Sequence, residues 1–249
     1  MPDKLVTRGL VLRATETKEA DYILTVLTAE HGRLAVIARG ARRRSSKLAA
    51  ACQHLAFSEL VLYRRGSWHY LDEASTIALF DGLRADLEKL SLASYFAEMA
   101  EAVTSEDLPS GEVLSLLLNS LYALDTLDRP NELVRAAFEL RLLALSGYEP
   151  LLDDCAMCGR ADPVEPVFDA AQGVVLCKTC AGPAGGLPLD EGALAAMRHI
   201  VGAPSRRLLS FTLEPASLAR LSVACETFAA VQLDRRFRTL DFYKSIKLT

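Results

Sequence analysis

The chain contains no Gly-Lys pair, and therefore no phosphate-binding P-loop, and it has no G-x-G-x-x-G cradle for a dinucleotide. None of its four histidines, His31, His54, His69 and His199, is followed two places on by Glu, so the signature of the zinc deaminases is missing. The histidines are scattered singly, and the carboxylates make no compelling acid/base pair. No reaction centre is legible, and no small-molecule substrate is expected. A run of eighteen apolar residues is also lacking, which excludes an ordinary membrane-spanning helix. Met1-Pro2-Asp3-Lys4-Leu5 does not have the basic-then-apolar pattern of a secretory signal. There is neither internal repeat nor low-complexity stretch. The expectation is a cytoplasmic, non-enzymatic protein; with 249 residues and 51% apolar content it can bury one large core or two to three small ones.

A net charge of −4 suggests no interest in polyanions, but the average conceals a polarity along the chain. Residues 1–80 hold twelve Lys/Arg against eight Asp/Glu, residues 81–197 seven against twenty, and residues 198–249 nine against four. A basic amino-terminal part beside an acidic middle points to a polyanion-binding module joined to something with another task.

Six cysteines are present, four of them in two knuckles, Cys155-Ala156-Met157-Cys158 and Cys177-Lys178-Thr179-Cys180, separated by eighteen residues. C-x₂-C-x₁₈-C-x₂-C is the spacing of a four-thiolate zinc site, because a two-residue spacer lets both sulfurs of a knuckle face one ion. Gly159 and Gly182 supply the backbone freedom a tight turn needs after each pair. Paired disulfides or a thioredoxin-type redox motif fit less well, since redox C-x-x-C motifs come singly before a helix. The expected cofactor is one structural Zn²⁺ held by Cys155, Cys158, Cys177 and Cys180, with no open position for a substrate, which argues against a zinc hydrolase. Cys52 and Cys225 lie among apolar residues and read as buried thiols.

Five short segments rich in Val, Ile, Leu, Thr or aromatics, Leu5–Arg13, Tyr22–Thr28, Arg33–Arg39, Phe57–Arg64 and Trp68–Asp72, read as strands. His31-Gly32 and Arg65-Gly66-Ser67 mark hairpin turns between them. Five such strands suggest a Greek-key barrel of the OB type, whose strand faces and loops bind oligonucleotides. From Leu83 the apolar period becomes helical through Val103, followed by helices over Val113–Leu124 and Glu132–Leu145, the latter capped by Gly147. Pro163–Phe168 and Gly173–Leu176 form a hairpin into the second knuckle, and helical patterns resume over Glu191–Val201 and Pro215–Leu233. The fold class is therefore α+β and multidomain. An OB-fold barrel occupies residues 1–80, and an α-helical domain over residues 81–249 embeds a zinc-ribbon-like module at about 150–185.

Immediately after the third strand comes Arg39-Gly40-Ala41-Arg42-Arg43-Arg44-Ser45-Ser46-Lys47, five cations uninterrupted by an acid. A solvated, mobile loop is the bland interpretation. The next hairpin, however, presents Tyr63, Arg64, Arg65, Trp68, His69 and Tyr70, and cations neutralise phosphates while aromatic faces stack on bases of any sequence. Candidate DNA contacts are Arg39, Arg42, Arg43, Arg44, Lys47, Arg64 and Arg65; alternation alone does not say which aromatics face the barrel core. A second basic group, Arg235, Arg236, Arg238, Lys244 and Lys247, complements a helix carboxyl end as readily as it contacts DNA. The knuckle region is net acidic, with Asp153, Asp154, Asp162, Glu165 and Asp169 against Arg160 and Lys178, so it is not the DNA-reading element.

The order of parts resembles the bacterial recombination mediators of the RecO family. The residues that carry the likeness are Gly9-Leu10-Val11-Leu12, Glu19 through Thr25, His31-Gly32-Arg33, Ala38 through Arg43, Phe138 through Ala144, Gly147-Tyr148-Glu149-Pro150 and both knuckles. The resemblance covers essentially the whole chain. It implies an OB-fold DNA-binding domain, a helical domain and a zinc module. It further implies binding of single- and double-stranded DNA, annealing of complementary strands, contact with the single-stranded-DNA-binding protein, and a complex with RecR that assists RecA loading in the nucleoid. An RNA-binding or transcription-associated protein is the alternative, since OB folds and zinc ribbons occur there too.

Overall fold

The computed structural model describes residues 4–247. The chain forms two compact units, the first running to Thr126 and resuming at Phe237, the second spanning Leu127–Arg236.

The first unit begins with β1 (Lys4–Thr17), β2 (Asp21–Thr28), β3 (Arg33–Ala38), β4 (Phe57–Arg65) and β5 (Trp68–Ala78), closed into a barrel in the order β1-β2-β3-β5-β4. The long β1 makes closure possible: its first half, Lys4–Leu10, pairs with β4 and its second, Gly9–Thr17, with β2. The seam is the parallel pairing of β3 with β5, Val36 opposite His69 and Ile37 opposite Tyr70, while every other pairing is antiparallel. This is the Greek-key arrangement of an OB fold. The period of two sends Leu24, Val26, Leu34, Val36, Leu60 and Leu62 inward, and the β3–β4 connection contributes Ala41 and Cys52 to the same core. Burial pushes the Cys52 thiol up to about 12, so it acts as a small hydrophobe.

The helical pattern from Leu83 is broken into α1 (Asp81–Arg84) and α2 (Leu87–Val103). The break has a local cause, because the Asp86 carboxylate accepts the Lys89 amide at 3.1 Å and starts a new helix there. A third helix, α3 (Gly111–Thr126), follows. Gly32, at φ +59°, turns β2 into β3 so tightly against this region that a Cβ would lie 2.4 Å from the Ser105 and Leu108 carbonyl oxygens.

The second unit opens with α4 (Asn131–Leu145), which ends in a Schellman motif: Tyr148 donates its amide to Leu143 O at 2.9 Å and Gly147 to Ala144 O at 3.2 Å. After the first knuckle come β6 (Pro166–Asp169), β7 (Val174–Cys177), the short α5 (Lys178–Ala181) and β8 (Leu187–Pro188), then α6 (Glu191–Gly202) and α7 (Pro215–Gln232). The short β8 pairs with β6 and completes a sheet of order β7-β6-β8. Phe168 of β6 meets Phe228 of α7 edge to face, with ring centroids 5.3 Å apart, and this anchors the hairpin root. Between α4 and α7, the buried Arg135 guanidinium pairs with Glu139 at 3.0 Å and Glu226 at 2.9 Å. Cys225 is fully buried beside Glu139, and desolvation raises its thiol far above the ordinary range.

The chain then returns to the first unit as α8 (Arg238–Lys247), which packs on α2. The sequence pattern placed only a basic tail here. Glu98 of α2 caps the new helix from outside, accepting from Thr239 N at 3.2 Å and Thr239 Oγ1 at 2.5 Å. That cap is non-local, so no local signal announces the helix.

A half-buried imidazole makes the first unit acid-sensitive. His54 shares a 3.1 Å hydrogen bond with Ser94, and desolvation, then the Arg84 charge, lowers its pKa. The unfolded chain therefore takes up the proton first, and stability is lost as pH falls below about 6.5 toward the folded value. Thermal unfolding followed by Trp68 emission should show a smaller drop in Tm between pH 7.5 and 5.5 for His54→Gln than for the wild type.

Candidate nucleic-acid interface and metal centre

The basic loop leaves β3 at the end of the barrel where β4 begins. It is held by its backbone: Gly40 donates its amide to Asp21 Oδ1 at 2.7 Å, Arg42 to Ala20 O at 3.0 Å, Arg43 to Gly40 O at 3.1 Å and Ser46 to Arg43 O at 2.9 Å. With Ala41 and Cys52 packed in the core, the main chain has little freedom while Arg39, Arg42, Arg43, Arg44 and Lys47 stay exposed. A mobile loop would lose conformational entropy on meeting a strand, whereas this one is ordered beforehand.

The five cations are not equivalent. Arg42 is paired with Glu16 at 2.5 Å, donates to Glu19 O at 3.3 Å and lies 5.9 Å from the Tyr22 ring centroid, so it ties the loop to the β1–β2 hairpin. Arg43, Arg44 and Lys47 have no carboxylate partner among the described residues and are available to phosphates. Arg64 and Arg65 lie elsewhere. They flank the β4–β5 turn, where Arg65 pairs with Trp68 and Arg64 with His69, at the opposite end of the strands from the loop. Arg64 lines a polar cavity of about 350 Å³ at that end with Arg33, His31, His69, Glu106 and Asp107.

Burial separates the inward-facing side chains of β4 and β5 from the outward-facing ones. Leu62 and Leu71 occupy the core, so their neighbours Tyr63 and Tyr70 are on the outer wall, and Trp68 is 40% exposed. Tyr63 stacks on Tyr70 with centroids 5.3 Å apart and planes 14° from parallel, and the Arg39 guanidinium lies 4.6 Å from the Tyr70 centroid.

In the second unit the four knuckle cysteines converge, with all Sγ atoms within 4.8 Å of one another and Cys158 4.0 Å from Cys177. A tetrahedron of thiolates around zinc has edges of about 3.8 Å, given Zn–S bonds near 2.3 Å. The first knuckle turns through Gly159, at φ +68°, whose amide bonds Cys155 O at 2.8 Å, while Cys155 N bonds Arg160 O at 2.9 Å. Cys177 ends β7 and Cys180 sits on α5. Amide donation from Cys158 and Cys177, the latter at 3.3 Å, lowers the Cys155 thiol to about 6. The hydrogen bond with Cys158 and burial push Cys180 up to about 12. Crowding makes it costly to charge the neighbouring sulfurs as well, so holding four thiolates together takes a cation, and a fixed set of four sulfurs suits a soft or borderline divalent metal. These residues can hold a metal ion with no position left open.

Sequence reasoning missed one residue that shapes this centre. Arg198 of α6 donates to Leu152 O at 2.9 Å and Asp153 O at 2.7 Å, and pairs with Asp162 Oδ1 at 2.9 Å, so one guanidinium clamps both ends of the first knuckle. Its only sequence signal is a lone Arg on an otherwise apolar helical run, too weak to name a partner. Outer supports of this kind tune metal affinity roughly 10–100-fold. Competition with a chromophoric chelator should show a loss in that range for Arg198→Met, with the fold of the helices kept.

Two family models together cover nearly the whole chain: Recombination protein O N terminal matches residues 1–80, and Recombination protein O C terminal matches residues 84–241. The chain belongs to the RecO family. Similar proteins named DNA repair protein RecO agree. That of Acetivibrio thermocellus is 34% identical over 244 residues, covering 97% of each chain. That of Anaeromyxobacter sp. strain K is 36% identical over 248 residues, covering 98% of this chain and 97% of its own. The Symbiobacterium thermophilum protein is 31% identical over 244 residues, 96% of each. The boundary between the two RecO models falls at the end of the barrel, and the second contains both knuckles. No described helix of this RecO chain is long and apolar enough to cross a membrane.

Proposed function

We propose that this RecO-family chain is a non-enzymatic DNA repair mediator that binds single- and double-stranded DNA through phosphates and brings complementary strands together. The observation that carries the reading is the pre-ordered loop on a closed OB barrel, with Arg43, Arg44 and Lys47 exposed and uncompensated among the described residues. Two strands repel through their phosphates, and a protein that neutralises both lowers the barrier to pairing. Arg39 and Arg42 shape this cationic edge, while Arg64 and Arg65 form a separate contact at the hairpin tip. Cys155, Cys158, Cys177 and Cys180 hold one structural zinc ion, which fixes the knuckles and supplies no reaction. Family membership supports assembly with RecR and the single-stranded-DNA-binding protein to assist RecA loading, in the nucleoid of the cytoplasm.

The test is annealing of complementary labelled strands by wild-type protein and by a variant with Arg43, Arg44 and Lys47 replaced by Ala, with RNA of equal length as competitor. Accelerated annealing that the variant loses is the expected result. Strong preference for RNA would favour an RNA-associated role instead.

A further inference from the structure

The outer wall of the barrel carries a row of side chains that the phosphate contacts do not use. The pairings place Lys4 opposite Tyr63, Tyr63 opposite Tyr70, and Tyr70 opposite Ile37, so consecutive rungs cross β1, β4, β5 and β3. Because β5 lies between β3 and β4, the Tyr70 ring has Tyr63 on one side, at 5.3 Å, and the Arg39 guanidinium on the other, at 4.6 Å. Two residues before Tyr70, about 7 Å along the strand, stands Trp68, 40% exposed and opposite Arg65.

The row therefore joins two basic places. The cationic loop leaves β3 just past Ile37, which is opposite Tyr70, and the Arg64–Arg65 turn precedes Trp68, so half-buried or exposed aromatic rings lie between them. A core role does not account for these rings, since the inward positions of both strands are filled by Leu60, Leu62 and Leu71. Arg39 covers the Tyr70 face with a flat cation of the size and planarity that a nucleobase would present there.

We propose that this row is a base-stacking site for an unpaired nucleic-acid strand. A base takes the place of the Arg39 guanidinium on Tyr70, Trp68 stacks on a neighbouring base, and the released Arg39 pairs with the strand's phosphate. The site makes binding selective for single strands, because in a duplex the base faces are already stacked on one another. It rests on the proposed nucleic-acid binding by the loop, but it adds a contact that salt does not screen.

Trp68 is the single tryptophan of the chain, so its emission reports this site directly. Wild-type protein is titrated with an oligothymidylate strand, and then with the same strand paired to oligoadenylate, while anisotropy of an end-labelled strand measures binding independently. Emission should be quenched by the single strand and left unchanged by the duplex. The variant Tyr63→Leu/Tyr70→Leu, which keeps apolar bulk without the rings, should bind the single strand about tenfold more weakly with an unaltered salt slope, and Tyr63→Phe/Tyr70→Phe should restore affinity. Single-strand binding by anisotropy without change in Trp68 emission, and with wild-type affinity in the leucine variant, would overturn the stacking site and leave the phosphate contacts standing. Absence of any binding by anisotropy would overturn both.

Discussion

Stripped of metal by a chelator under reducing conditions, the knuckles should open while the helices of the second unit and the barrel remain folded. The reason is size. The β7-β6-β8 sheet has strands of four, four and two residues, too little to bury a core of its own. Phe168 and Phe228 hold the hairpin root, but Met157 and Val164, at 70% and 54% exposed, show how little apolar packing the knuckle ends possess. Structural zinc supplies roughly 10–16 kcal/mol of binding energy in small modules, and that energy is folding energy. Trypsin should therefore cut after Arg160 and Lys178 at least tenfold faster in the metal-free protein, while Trp68 emission, which reports the barrel, stays constant. Cys155→Ser should behave as the chelated wild type does. Unchanged cleavage, with no zinc found in freshly purified reduced protein, would dismiss the metal centre.

Legibility in the sequence followed the range of the interactions. The knuckles were readable because a two-residue spacer is local, and the inward faces of β2, β3 and β4 because alternation needs only one strand. Turns at Gly32, Gly66 and Gly147 were readable for the same reason; each has positive φ. What escaped was decided across the chain. The OB-type barrel was expected, but not the residues that seal it, Val36 of β3 beside His69 of β5 with over thirty residues between them, and α8 exists because Glu98 caps it and α2 supports it. Arg198 gains its role from carbonyl groups at Leu152 and Asp153, more than forty positions away.

Within the basic loop, the sequence made Arg39, Arg42, Arg43, Arg44 and Lys47 look alike, and the structure divides them. Arg42 spends its charge on Glu16 and Arg39 lies on Tyr70, whereas Arg43, Arg44 and Lys47 have no carboxylate partner among the described residues. Replacing these three by Ala should weaken single-strand binding roughly a hundredfold at low salt, since each lost phosphate contact also forfeits counterion release. Arg42→Ala has a different expected signature: the loop loosens from the hairpin, and affinity falls without a matching loss of slope beyond a single contact. Arg64 and Arg65, at the far end of the strands, should act independently of the loop, their effects adding to those of the triple variant.

If cations of this ordered loop bind DNA through its phosphates, salt must weaken single-strand binding in proportion to their number. The most direct measurement is the dependence of single-strand affinity on salt, plotted as log K against log salt concentration, for the wild type and for the Arg43→Ala/Arg44→Ala/Lys47→Ala variant. Each phosphate contact contributes about 0.7 to the slope for a single strand, so three lost contacts should flatten it by about 2. A variant slope equal to that of the wild type would contradict the account and remove the loop from the interface.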